Sequence, residues 1–272
     1  MLKIVILILL IIGGIMKVKY KSLNIKNNFW ATMIYIFLRI IVIFLLIDNL
    51  INNRYENVLI CFLTLILFLL PFIIEEKFNI ELPSTLEIII LLFIFSAEIL
   101  GELNAFYQII PNWDNILHTI NGFVMGAFGF SFVNLLNNSK SVHLKLSPIF
   151  VVLMSFCFSM TIGVLWEFGE YGVDKIMKTD MQKDTVINEI YSVKFDNTNS
   201  NKVINKKLDN VFINNEKWEG YLDIGLIDTM HDMFVNLLGA LTFSLFGYFY
   251  LTNNKFRIVE NFLIKKRGES HG

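Results

Sequence analysis

Charged residues are scarce in this 272-residue chain: Asp, Glu, Lys and Arg together supply 17%, against about 25% in an ordinary soluble domain. Hydrophobic residues reach 55% and aromatics 14%, which excludes a soluble globule of this size and implies a membrane protein. With two cysteines and no metal-ligand spacing between them, a disulfide framework is excluded, and Cys61 and Cys157, each inside an apolar run, are expected to be buried thiols. There is no glycine-rich phosphate loop, no Gly-x-Ser-x-Gly elbow and no His-Glu-x-x-His pair, and no basic surface for nucleic acid. The partner this composition implies is membrane lipid. Heavy use of Ile, Asn, Lys and Phe points to an AT-rich genome and a bacterial plasma membrane.

What is abundant is arranged in long runs. Ile4 to Met16 gives 13 apolar residues between Lys3 and Lys17, about 20 Å as a helix and short for a crossing. No small-x-small cleavage site precedes Lys17, so the run is expected to stay as an uncleaved helix. Further spans are expected at Phe29 to Ile47, Val58 to Ile74, Leu86 to Ile99, Ile116 to Leu136 and Leu146 to Phe168, and a last one lies within Gly225 to Gly247. The expected fold is therefore an all-α polytopic membrane bundle of about seven helices, six if the first is cleaved. Residues 1–173 hold six helices, 174–224 a long extracytoplasmic polar loop, 225–251 the seventh helix and 252–272 a basic cytoplasmic tail. Within the loop, Val203 to Ile204 and Val211 to Ile213 alternate as short strands do.

Lys and Arg in the short connections set the orientation. With the N-terminus outside, the inner connections and tail hold twelve, and the short outer ones only Lys3 and Arg54. This arrangement, N-terminus out and C-terminus in, brings four acidic groups to the outer face. Glu98 and Glu102 close the fourth helix, Asp114 and His118 open the fifth, Glu167, Glu170 and Asp174 close the sixth, and Asp228, His231 and Asp232 open the seventh. The grouping of acids is independent of the Lys and Arg bias and supports one shared site.

Acids in a membrane helix cost up to roughly 3 kcal/mol each at mid-bilayer, so they face protein or a watery cavity. Asp228, Asp232, Asn236 and Gly239 fall on one stripe of the last helix. Asp114 and His118 stand one turn apart, with Asn121 and Gly122 continuing their face; Gly122 and Gly126 suit close helix packing. Glu167, Glu170 and Asp174 share one side of their helix and would repel unless a cation or a shared proton offsets them. The residues expected to carry chemistry are Asp114, His118, Glu167, Glu170, Asp228 and Asp232. Trp113, Asn121, Trp166 and Asn236 are expected to contact substrate, and one divalent ion is expected on His118, Glu167, Glu170 and Asp232. Thr179 to Thr185 is expected to form part of a lid. Arg39, inside the second span, is expected to pair with an acid of the bundle or with lipid phosphate.

Trp113-Asp114-Asn115-Ile116-Leu117-His118 with Asn121-Gly122, then Trp166-Glu167-Phe168-Gly169-Glu170, then Asp228-Thr229-Met230-His231-Asp232 with Asn236 and Gly239-Ala240, resembles the YjdF-type bacterial inner-membrane proteins of unknown function. More distantly, the Asp-x-x-x-His helix followed by one with Asp, Asn and Gly is similar to VanZ-like proteins. The resemblance covers roughly residues 29 to 250. It implies a multi-pass membrane protein without assigning an activity. Three functions stay open: a divalent-metal-dependent membrane enzyme acting on a lipid-linked or envelope substrate, a cation- or proton-coupled transporter, and a non-catalytic envelope protein whose polar cluster is structural.

Overall fold

The computed structural model describes residues 29–137, 145–198 and 200–267. The expected helix at Ile4 to Met16, and with it His143 and His271, lies outside the described residues. The described residues form eight α-helices in order: α1 (Phe29–Ile51), α2 (Tyr55–Leu67), α3 (Leu70–Phe78), α4 (Ser84–Ile94), α5 (Phe106–Ile109), α6 (Trp113–Asn137), α7 (Pro148–Met177) and α8 (Leu226–Asn253). Among the described residues, five stretches are long and apolar enough to cross a membrane: α1, α2 with α3 as one stretch Tyr55–Phe78, α6, α7 and α8. The α2–α3 break falls just ahead of Pro71, at the first turn of α3, where a missing N–H costs no helical bond. Helix α4 continues without interruption into nine residues of π-helix, Phe95–Leu103. Beside that wide turn the ring of Tyr107 packs on Gly101, where a Cβ would come within 2.3 Å of Tyr107 Cε2.

Helix α6 runs through the centre and packs on α7 and α8. Two glycines allow its close approach to α8. A Cβ on Gly122 would lie 2.1 Å from the Asn236 carbonyl oxygen, and one on Gly239 would lie 2.1 Å from that of Thr119. The same absence of side chain lets α7 stitch itself to α6: Ser159 Oγ donates to the Gly122 carbonyl and Ser155 Oγ to that of Gly126, each at 2.7 Å. Small residues that permit backbone contact, with hydroxyls as bridges, are how helices associate where lipid removes the hydrophobic drive. Farther along α6 and α8, Phe123, Phe130, Phe243 and Phe262 meet edge to face at 5.1–5.8 Å, a packing that suits aromatic quadrupoles.

A second cluster gathers α1, α2 and α4 around Tyr35, Val42, Cys61, Phe68 and Leu91. Here the Arg39 guanidinium donates to the Tyr35 hydroxyl and lies 5.0 Å from the centre of that ring. Glu87 on α4 is also buried. Cys61 is buried as expected, but Cys157 is exposed on the outer surface of α7. That corrects the reading of Cys157: lipid and protein core are both apolar, so an apolar run does not reveal which of its side chains point inward.

Outside the helices the described residues form four two-stranded antiparallel sheets. Strand β1 (Ile80–Glu81), in the α3–α4 connection, pairs with β8 (Lys265–Lys266) of the tail. Both therefore sit at the end of the bundle opposite the helix ends that carry the acids. In the long loop, β2 (Val186–Ile187) pairs with β7 (Tyr221–Leu222) to close its base, and β3 (Glu189–Ser192) pairs with β4 (Ile204–Lys207). The remaining hairpin joins β5 (Val211–Ile213) to β6 (Glu216–Trp218) through Asn214-Asn215, both at positive φ, as a tight hairpin turn demands. The strand expected at 211–213 is realised as β5 and the one at 203–204 only in part, since β4 begins at Ile204 and runs on to Lys207, both within hairpins of an otherwise helical fold.

Candidate metal centre at one end of the bundle

Asp114 stands in the first turn of α6 and His118 one turn on, which places both side chains on one face. That face looks at α7 and α8. His118 Nε2 lies 3.6 Å from Asp114 Oδ1 and 3.8 Å from Asp232 Oδ2, and its Nδ1 lies 3.8 Å from Glu167 Oε1. Asp114, His118 and Asp232 can each offer one ligand atom such that all three lie within 4.8 Å of one another. The imidazole is thus the hub, with two aspartates on one nitrogen and a glutamate on the other.

Burial makes this arrangement costly. Asp232 is 1% exposed, Glu167 4% and His118 6%. Among the described residues neither oxygen of Asp232 has a hydrogen-bond partner, while the Thr229 and Gln182 side chains approach the carboxylate of Glu167. A buried carboxylate with both oxygens orphaned is expensive, since a buried charge is tolerated only when it is paired or bound to a metal. Among the described residues no Lys or Arg forms an ion pair with the cluster. The donor set, two carboxylates and an imidazole with a third carboxylate adjacent, suits a hard or borderline divalent cation.

The other expected residues take distinct places. Glu170 is buried, and its Oε1 accepts from the indole of Trp166 one turn earlier at 2.8 Å. Asp228 accepts from the backbone N–H of Lys183 at 2.8 Å, and Asp174 accepts from Thr179 Oγ1 and from the N–H groups of Met181 and Gln182. The two aspartates thereby hold residues 179–183 across the ends of α7 and α8, and Gln182 Nε2 adds a 2.5 Å bond to Thr229 Oγ1. Below the cluster, Asn121 Nδ2 donates to Asn236 Oδ1 at 3.2 Å. Trp113 packs edge to face on Phe106, 5.1 Å between ring centres. His231, the residue before Asp232 on α8, is exposed and does not join the site.

Two participants were not singled out from the sequence. Asp223 accepts from Thr185 N at 2.7 Å and from Ile227 N at 2.6 Å, fastening the loop to the start of α8, a role its place in the polar loop did not signal. Tyr107, on the short α5, stands within electrostatic reach of Glu98, Glu102, Asp114 and Glu170, and has no sequence signature beyond the Gly101 it packs on.

With the fold and this geometry in place, comparison with known proteins gives a family. A family model described as "Predicted membrane protein (DUF2238)" matches residues 32–253. The chain belongs to that family. The match runs from α1 to the end of α8 and takes in every residue of the cluster. An uncharacterised protein of Thermotoga maritima is similar, 30% identical over 127 residues, which is 45% of this chain and 64% of the relative. The chain therefore spans a little less than two thirds of that relative's length. No solved structure matches. Membership in this family agrees with the YjdF-type resemblance and with a multi-pass membrane protein; it assigns no chemistry.

Proposed function

We propose that the protein holds one divalent cation between Asp114, His118 and Asp232 at the extracytoplasmic face of the bacterial plasma membrane and uses it on a lipid-linked or envelope substrate. The observation that carries this reading is the buried carboxylate of Asp232, 1% exposed, whose two oxygens are without a hydrogen bond beside His118 and Asp114. A cation removes that cost directly. Ligands of a tetrahedral zinc ion stand about 3.4 Å apart and those of a calcium ion up to about 5 Å, so a triad spread of 4.8 Å is already within the reach of the larger ion and must tighten to hold zinc. Bound there, the ion would supply an activated water or polarise a phosphoryl or carbonyl oxygen. The chain's own groups bind and screen it: the segment clamped by Asp174 and Asp228 covers the aqueous side, and Asn121 with Asn236 floors the site.

The transporter alternative would use the same carboxylates as a relay. Against it stands the aromatic packing of Phe123, Phe130, Phe243 and Phe262, which fills the α6–α8 seam beyond the asparagine pair and favours a site reached from one face. The reading is tested by adding Zn²⁺, Mn²⁺ or Co²⁺ to purified protein in detergent. One equivalent bound, with binding lost in Asp114→Asn and in His118→Ala, supports it; ion or proton flux in liposomes that needs Asp232 would favour the alternative.

A further inference from the structure

The cluster is closed in this structure. Asp232, Glu167 and His118 are almost wholly buried, and of the triad only Asp114, its side chain 32% exposed, reaches toward solvent. The segment beside it, residues 179–183, runs between two fixed points. Lys178 ends α7 in the left-handed conformation at φ 59°, and Thr185 is tied by two hydrogen bonds to Asp223 just ahead of the β2–β7 pair. Between those points no side chain is buried. What holds the segment down is polar: Asp174 of α7 accepts from Thr179, Met181 and Gln182, and Asp228 of α8 accepts from the Lys183 N–H. A stretch fastened by surface hydrogen bonds, with little apolar burial, opens at lower free energy than packed helices, and the lids of active sites are drawn from this class.

One side chain of the segment turns inward. Gln182 Nε2 donates to Thr229 Oγ1 at 2.5 Å, and both side chains approach the carboxylate of Glu167, whose Oε1 stands 3.8 Å from His118 Nδ1. Gly225 makes the room for it. Its φ is 81°, and a Cβ there would lie 2.6 Å from Gln182 Cβ and 3.2 Å from the Gln182 carbonyl oxygen. We propose that residues 179–183 form a lid that opens to admit an ion and substrate to the cluster, and that Gln182 is its latch. The latch is a positioning residue: it holds the lid shut through Thr229 without touching the ion. That the opening serves ion and substrate rests on the metal-site reading above; that the segment opens as a unit between Lys178 and Thr185 does not.

The test uses the full-length protein in detergent and has two arms. In hydrogen-exchange mass spectrometry of the metal-free protein, a peptide spanning residues 178–185 should exchange faster than the core of α6. Gln182→Ala should speed that exchange roughly tenfold, the effect of losing one hydrogen bond, and leave the β2–β7 pair unchanged. Exchange as slow as the α6 core, no acceleration in Gln182→Ala, or an acceleration that spreads to β2 and β7 overturns the lid. In the second arm Co²⁺ is the probe, followed by its visible absorption. Gln182→Ala should speed both uptake and release to a chelator by a similar factor, while Kd and the band positions stay those of the wild type. Unchanged rates overturn the gating role, and shifted bands overturn the latch by placing Gln182 at the ion. A wild type that binds no Co²⁺ yet shows the expected exchange supports the lid and overturns only the metal reading.

Discussion

The Gly122 backbone approaches Asn236 so closely that a Cβ would stand 2.1 Å from the Asn236 carbonyl oxygen. Gly122→Ala should therefore push α6 from α8 and lower stability by about 1–3 kcal/mol, the usual cost of overpacking. Gly169 and Gly172, on α7, have open space at the Cβ position, and alanine there should leave stability unchanged or raise it slightly, since glycine is a poor helix former. Thermal unfolding in detergent distinguishes the two classes; equal effects would contradict the packing described.

The clamp on the loop makes a second prediction. Asp174 holds Thr179, Met181 and Gln182 through three hydrogen bonds. Asp174→Ala should free this segment and speed tryptic cleavage after Lys178 and Lys183 several-fold, without changing the helical content seen by circular dichroism. Unchanged cleavage would mean that Asp228 and the β2–β7 pair suffice to hold it.

Asp196 gives a pH prediction outside the membrane. The Thr198 hydroxyl and backbone N–H, with the Lys202 N–H and the Ser200 hydroxyl, donate to its carboxylate and hold it well below the usual carboxylate range. A depressed folded-state value contributes order above the ordinary aspartate value of about 4, which is lost only as pH falls through the folded value. Amide exchange protection at Thr198 and Lys202, corrected for intrinsic rates, should stay constant from pH 7 to about 4 and disappear in Asp196→Ala at any pH. A loss of protection already at pH 5 would contradict these bonds.

The bundle's polarity can be checked with a single thiol. A cysteine at Asn214, exposed in the β5–β6 turn, in a background lacking Cys61 and Cys157, should react with a membrane-impermeant reagent in whole cells. Protection until the cells are lysed would place the site on the cytoplasmic side.

Much of this site was legible because helical period and alternating direction are arithmetic. Asp228, Asp232 and Asn236 repeat every four residues, and successive spans reverse, so acids that close one helix and open the next must meet at one end. The π-helical turn at Phe95–Leu103 was not legible, since its backbone bonds carry no composition signal. Nor could spacing reveal that Glu170 is engaged by Trp166 on its own helix while Glu167, one turn away, reaches His118. Partition between two acids on one helix face is decided by what packs opposite. The outward turn of Cys157 was hidden for a related reason: in lipid, hydrophobicity separates span from loop but does not separate the two sides of a span.

Metal content of the purified protein tests the central claim most directly. Elemental analysis of wild type and Asp232→Asn, purified in parallel after loading with Zn²⁺ and desalting, should give close to one ion per chain for the wild type and essentially none for the variant. Equal metal in the two, or none in either, would contradict a cation held by Asp114, His118 and Asp232.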